Sequence, residues 1–535
     1  MNYFDTLPID KYVPIHKAVQ LIRQLTMPHQ LTEMYQGSSR KQLCLWGITM
    51  FFALRSTINY IKQKRQKLNR PPMVPFGLPL IGHSLYLALM PHKYLDWCNK
   101  TYGELYDLNI RGNRITIANG KMGEEVLKAD SKDLSLDAGL FTETQFLHYA
   151  LNSKTLHLGT FGVGKIAKFV IPNPKVPRYI PGIQAGLENG IRALLTEKVN
   201  VIQNPSKFFQ DYISYVSVPN LLGQEFSLNK EVLHSFAAFT GDILKNIPIF
   251  LLAPRSLHPF ILPFIKSSKK HTETMEKYIP PVVLERREVM KRAAEAGLEH
   301  HGLEDNFLQG LIEFVQTDDN GNKFQYDEKE LAQLVLLLAF ASLHSVSLNL
   351  SFCIYWLLAR PDLEEKLTKE IELVFPGDQQ AITEDGLDRM PFLNNFLREV
   401  FRQGSSNLSM NKKAMLDYTF SNGYQIPKGS SVEIAMRQLN FGTNETRSKV
   451  EDMDPDMSQN INATAPAKDF SSFGMGRHLC PGRFFALLEI KMTLIYLLKN
   501  FHITTVSGKR PKPCKRLLGI RIMNSEDPLI FTAKK

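Results

Sequence analysis

A mainly α fold with small β-sheets is what the sequence predicts, and three observations carry that expectation. A long apolar run from Leu331 to Pro361 follows the acidic stretch Asp327–Glu330 and closes on Arg360 and Pro361, which suits the two ends of one helix. From about residue 180 to residue 405, helical patterns alternate with breaks at Pro248, Pro254, Pro259 and Pro263. Strand-like runs are short. Gly103–Asn119 reads as a hairpin turning near Gly112 and Asn113, and Asn422–Met436, with turns at Asn422–Gly423 and Pro427–Gly429, reads as a small sheet beside the core.

At 535 residues the chain can enclose a large core. It shows no Gly/Ser linker, internal repeat or long low-complexity tract, so one large domain over 71–535 behind an extension over 1–70 is the economical division. Its 64 Lys and Arg outnumber 53 Asp and Glu, and the net charge of +11 favours acidic partners or an anionic membrane surface. That charge is dispersed, without zinc-finger spacing or an arginine-rich arm, which argues against nucleic acid as a partner. The five cysteines are few, odd in number and scattered, arguing for a reducing compartment and against a disulfide scaffold.

Residues 43–61 are apolar enough to reach into a bilayer, but Arg55 sits inside the run. The segment therefore spans with Arg55 near an interface, lies on the membrane as a peripheral helix, or is an ordinary buried one. The basic stretch Lys62–Arg70 that follows fits the cytosolic side, and Pro71, Pro72 and Pro75 form a stiff spacer. No small-residue cleavage site marks the segment for removal as a secretory signal. Asn246–Phe264 is apolar yet broken by four prolines, either a greasy surface at a membrane or pocket mouth or a core connector. The Leu331–Pro361 run has the hydropathy of a span, yet Ser342, His344, Ser345, Ser347 and Ser351 lie in its middle. A buried central helix whose polar interruption meets something there is at least as good a reading. Met390–Gln403 reads as a helix with Glu399 and Arg402 on one face, a spacing also common in exposed ion pairs.

The chemistry concentrates in "FSSFGMGRHLCPGRFFALLEIK", Phe470–Lys491. Gly474 and Gly476 resemble the start of a dinucleotide fingerprint, but Leu479 stands where the third glycine belongs and no strand leads in. Cys480 and His478 have the wrong spacing for structural zinc. What remains is one thiolate at a loop-to-helix junction, facing the N–H groups of a first helical turn and surrounded by Arg477, His478 and Arg483. Such a sulfur is a strong axial donor to haem iron. The glycines let the loop pass beneath a flat group, and a histidine and an arginine can hold haem carboxylates.

Here the chain resembles the cytochrome P450 family, whose cysteine-loop pattern is matched in full by Phe473, Gly474, Gly476, His478, Cys480 and Gly482. The resemblance covers roughly residues 70–530 and implies the cytochrome P450 fold behind an N-terminal membrane-associated helix, of the microsomal, fungal secondary-metabolite type. It implies haem b as cofactor, Cys480 as proximal iron ligand, Phe473 packed near the sulfur and His478 at a propionate. Lys412 or Lys413 stands near the position where relatives put a propionate-binding arginine. Glu399 and Arg402 match the Glu-x-x-Arg of the K helix, which the family braces with an arginine from the following meander. The usual Pro-x-Arg-Phe is missing from Phe441–Asn460, leaving Arg447 as the candidate.

The helix around His344 looks like the I helix that crosses above the haem. Relatives carry Ala or Gly, Gly, any residue, Asp or Glu, then Thr, whereas this chain reads Ala341, Ser342, Leu343, His344, Ser345. Ser345 can relay a proton, although it lacks threonine's methyl, and His344 is a second candidate catalytic group or else a satisfied core histidine. By resemblance the protein is a monooxygenase that oxidises a lipophilic terpenoid, steroid, alkaloid or polyketide. Dioxygen and electrons from NADPH-cytochrome P450 reductase would be consumed, at the endoplasmic reticulum membrane with the domain facing the cytosol. A reductase-independent haem-thiolate isomerase or dehydratase, and a non-catalytic haem-binding protein, are the alternatives.

Overall fold

The structure, a computed structural model, describes residues 68–535 apart from 79–81, 111–112, 137, 140–150, 152–163, 165, 247–257, 262–263, 266–267, 318–322, 378–380, 406–407, 442–452, 459, 518–520 and 535. The expected membrane segment 43–61 and most of Asn246–Phe264 lie outside the described residues. Leu68–Lys535 forms one compact unit.

Its helices include α1 (Pro91–Tyr102), α2 (Gly120–Lys128), α3 (Ile180–Leu194), α4 (Pro205–Leu222), α5 (Lys230–Leu244) and α6 (Lys269–Glu295). These are followed by α7 (Glu328–Ala359), α8 (Pro361–Val374), α9 (Pro391–Gln403), α10 (Met436–Phe441) and α11 (Arg483–Asn500). The organising element is α7. Asp327 accepts the N–H of Glu330 at 2.7 Å and the Glu330 carboxylate accepts the N–H of Asp327 at 3.0 Å, a capping box that starts the helix where the acidic stretch predicted. The 32 residues that follow are apolar on almost every side, so the helix has no face to give to water. It is therefore buried, packed against α4, α5, α6, α8, α9 and α11. Although α7 is long and apolar enough to cross a membrane, most of that surface is covered by these neighbours.

The predicted hairpin is present as β1 (Leu105–Ile110) and β2 (Asn113–Ala118), paired antiparallel with Leu108 opposite Ile115. It joins a five-stranded sheet in which β6 (Ser431–Ile434) runs parallel to β2, β5 (Ser409–Ala414) pairs antiparallel with β6, and β3 (Leu134–Ser135) closes the edge. Because side chains alternate along a strand, this register decides between two neighbouring lysines. Lys412 and Ala414 turn inward, while Lys413 is only half-buried. A second sheet of β4 (Val199–Ile202), β7 (Phe501–Thr505) and β8 (Leu529–Ala533) in the order β7-β8-β4 ties the C-terminus of α11 to the start of α4.

Where α11 meets α4, the core holds an acid. Ser217 Oγ donates to Glu489 Oε1 at 2.6 Å, and no hydrogen bond among the described residues reaches Oε2. Burial pushes the Glu489 carboxyl up to about 8, against a weaker downward pull from Ser217. The folded state thus binds a proton that the unfolded chain has released above its ordinary value of 4.5, so stability falls as pH rises from about 4.5 to about 8. Glu489→Gln keeps an acceptor for Ser217 and removes this titration. Thermal unfolding of the variant should match wild type near pH 4.5 and exceed it by several degrees at pH 8.

Candidate haem-thiolate site

The cysteine loop is closed by its own backbone. The N–H of Cys480 donates to the carbonyl of Phe473 at 2.8 Å, and the chain turns between them through Gly474 at φ +80° and Gly476 at φ +62°. Both are in the left-handed region that glycine enters without strain. A Cβ on Gly474 would stand 3.1 Å from the His478 carbonyl, and one on Gly476 would press on Lys128 of α2 at 3.4 Å. Helix α11 begins at Arg483, and the N–H groups of Gly482 and Arg483 bond the sulfur of half-buried Cys480 while the Arg483 guanidinium donates to its carbonyl at 2.9 Å. The sequence leads one to expect a stabilised thiolate. Burial outweighs these two N–H bonds and the Arg483 charge and pushes the Cys480 thiol up. A coordinated cation reverses that balance, because a ligating thiol is deprotonated outright. The side chain of Arg477 lies outside the described residues.

Three further predicted residues are drawn to this loop. Ser131 Oγ lies 3.4 Å from His478 Nε2. Lys412 is wholly buried, and its ammonium donates to the carbonyl of Val126 at 2.7 Å and, at longer range, to those of Leu127 and Ala129, the negative end of α2. Desolvation pulls Lys412 down to about 8. Since α2 also carries Lys128, against which Gly476 rests, Lys412 and His478 are linked through one short helix. The Phe473 ring meets Phe401 of α9 edge-on, with centroids 5.4 Å apart, and Ser472 Oγ donates to the Phe401 carbonyl at 3.0 Å.

Glu399 and Arg402 on α9 are a buried pair, not an exposed one: Arg402 Nε donates to Glu399 Oε2 at 2.7 Å and Gln403 to Oε1 at 3.0 Å. The guanidinium groups of Arg402 and Arg437 each lie 4.6 Å from the centre of the Phe441 ring. Arg447 lies outside the described residues.

On α7 the burial pattern breaks where the sequence changes character. Leu343 and Val346 are buried, whereas Ala341 and Ser345, one turn apart, are exposed, and Phe340, His344, Leu348 and Asn349 are half-buried. A helix enclosed along most of its length thus opens on one face for about two turns. Its hydroxyls are turned back on the helix: Ser342 Oγ donates to Leu338 O at 2.8 Å, and Ser345 Oγ lies 3.0 Å from Ser342 O. Asn349, which the sequence reading passed over, donates to Ser345 O at 2.8 Å. Its signal was its spacing, four residues after Ser345. His344 is different, because its buried Nδ1 has no hydrogen-bond partner among the described residues and burial pushes its pKa down.

The residues present fit haem. Among the described residues no group of three or more His, Cys, Asp or Glu could hold a metal ion, and porphyrin iron needs only one protein thiolate because the macrocycle supplies its other ligands. A wholly buried ammonium without a carboxylate partner in its hydrogen-bond set suits an anionic ligand group nearby. Lys412→Met should speed transfer of haem to a scavenging apoprotein by about ten- to a hundredfold, the loss of one charge-assisted contact (~1.5–3 kcal/mol), and Lys412→Arg should largely restore retention.

The family model for cytochrome P450 matches residues 71–532. The cytochrome P450 monooxygenase AtmP of Aspergillus flavus is 26% identical over 374 residues, 68% of this chain and 70% of its own length. The cytochrome P450 monooxygenase janP of Penicillium janthinellum is 22% identical over 490 residues, 86% of this chain and 90% of its own. With a family match across nearly the whole described unit and a thiol loop built as above, the chain belongs to the cytochrome P450 family, haem b enzymes of the monooxygenase kind.

Proposed function

We propose that this monooxygenase oxidises a lipophilic small molecule of secondary metabolism, a terpenoid, steroid, alkaloid or polyketide, with electrons from NADPH-cytochrome P450 reductase. Residues 71–535 are the catalytic domain. Residues 1–70 are the membrane anchor and its extension, holding that domain on the cytosolic face of the endoplasmic reticulum. The observation that carries the reading is Cys480 on its backbone-closed loop, with its sulfur receiving the N–H groups of Gly482 and Arg483.

Haem b, when bound, supplies dioxygen activation and one-electron chemistry. The chain supplies the rest. Cys480 would hold the iron, with the N–H groups of Gly482 and Arg483 tempering its charge donation. His478 and Lys412 would hold the carboxylates that the group carries. On the open face of α7, Phe340, Ala341 and Leu348 favour an apolar substrate, and Ser345 and His344 handle protons. Ser345 Oγ holds its proton on Ser342 O at rest and must rotate to give it up, exchanging one hydrogen bond of about 1 kcal/mol for another. His344 is neutral at pH 7, because burial holds its pKa low, and so has a nitrogen free to accept a proton.

The reduced, carbon-monoxide-bound protein should show a strongly red-shifted, thiolate-type Soret band that Cys480→Ser abolishes. With reductase and NADPH, extracts supplied with isotopic dioxygen should yield a labelled lipophilic product; turnover without NADPH would instead identify an isomerase or dehydratase. Ser345→Ala should lower product formed per NADPH consumed by about a hundredfold, the low end of what a positioned proton donor contributes, and Ser345→Thr should preserve it. Asn462 sits in a sequon in which Thr464 Oγ1 donates to Asn462 Oδ1 at 2.7 Å. A cytosolic domain leaves Asn462 unglycosylated, which peptide mass spectrometry checks.

A further inference from the structure

Arg398 stands next to Glu399 on α9, yet its hydrogen bonds go to the chain that leads into the cysteine loop. Its Nη1 donates to the carbonyls of Asn462 at 3.0 Å and Ala465 at 2.7 Å, and its guanidinium lies 3.9 Å over the centre of the Phe470 ring. The side chain is almost wholly buried. Two amides on the same face of α9 grip the same segment. Asn394 donates to Ile461 O and accepts the Ala463 N–H, both at 2.9 Å. Asn395 donates to Asn460 Oδ1 at 3.0 Å and accepts the Asn460 N–H at 3.2 Å. Asn460 is one of two non-glycine residues at positive φ among the described residues, at +59° in the left-handed region that asparagine enters more readily than most side chains.

The gripped segment leads directly to the sulfur. Ala467 and Phe470 exchange backbone hydrogen bonds at 3.0 Å, the Phe470 ring lies 6.4 Å from that of Phe473, and Phe473 O receives the Cys480 N–H. Ser472 and Phe473 return to α9 at Phe401. One helix thus holds the approach to the loop at 460–465, at Phe470 and at 472–473. Among the described residues of α9, Arg398 spans two of these places, because a planar guanidinium can donate in its plane while stacking a ring on its face.

We propose that Arg398 is a positioning residue for the thiolate ligand, holding 460–470 against α9 so that Phe473 and Cys480 keep their places, the bracing that the family resemblance would give to an arginine of the meander. The inference rests on Cys480 as the haem ligand. The test compares full-length wild type, Arg398→Ala, Arg398→Lys and Arg447→Ala by carbon-monoxide spectra, haem content and thermal unfolding.

In Arg398→Ala, the thiolate-type share of the spectrum should fall several-fold at retained haem content and well below the unfolding temperature. Arg398→Lys should be intermediate and Arg447→Ala close to wild type. A merely structural role would lower the unfolding temperature and leave the spectral ratio alone, and that result in folded Arg398→Ala overturns the proposal, as does a loss confined to Arg447→Ala. If Arg398→Ala does not fold, Arg398→Lys and Asn395→Ala carry the test: a partial shift in both supports the proposal and a wild-type ratio in both overturns it. A wild type without the thiolate band would instead overturn the Cys480 assignment beneath it.

Discussion

The hydrogen bond from the Cys480 N–H to the Phe473 carbonyl, 2.8 Å long, sets the requirements that the surrounding structure meets. It closes a tight loop that L side chains cannot follow, so glycines occupy the two left-handed positions at 474 and 476. A loop this tight has little apolar surface of its own and takes its rigidity from neighbours. On one side α2 packs under Gly476, and on the other α9 contacts Phe473 through Phe401. Helix α11 follows directly, and its first N–H groups fall to the sulfur because the helix begins three residues after the cysteine.

The charges around this frame follow one rule. Burial disfavours the charged form of Cys480, Lys412, His344 and Glu489 alike, and each is treated differently. Lys412 keeps backbone carbonyls as partners and a pKa about 8, which leaves the ammonium available to an anionic ligand. Glu489 receives a single hydroxyl and is held as the acid. His344 receives no partner at Nδ1 among the described residues and stays neutral. Glu399 is the contrast: with Arg402 and Gln403 both in contact, it is a buried carboxylate in a structural pair.

Much of this was legible before any coordinate. The acidic start of α7, the hairpin at 105–118 and the cysteine-loop pattern are local signals, each set by residues within a few positions of one another. Arg398 was not legible, because a lysine- or arginine-bearing K helix looks alike whether the side chain meets water or carbonyls some 64 to 67 positions away. The choice between Lys412 and Lys413 was closed to the sequence for a related reason. Both sit in one short strand, and only pairing with β6 decides which side turns inward.

By itself the sequence determined the class of fold and the family and singled out the cysteine loop as the candidate site, because helix caps, glycine conformations and the spacing of such a loop are properties of short stretches of chain. Tertiary structure decided that the apolar run of α7 is a core helix opening on one face at Ala341 and Ser345, since hydropathy is the same for a buried helix and a membrane span. It also decided that Glu399 and Arg402 are buried, and that the segment before the cysteine is held from α9. Those outcomes depend on which distant surfaces exclude water from which side chains, and no local pattern encodes that.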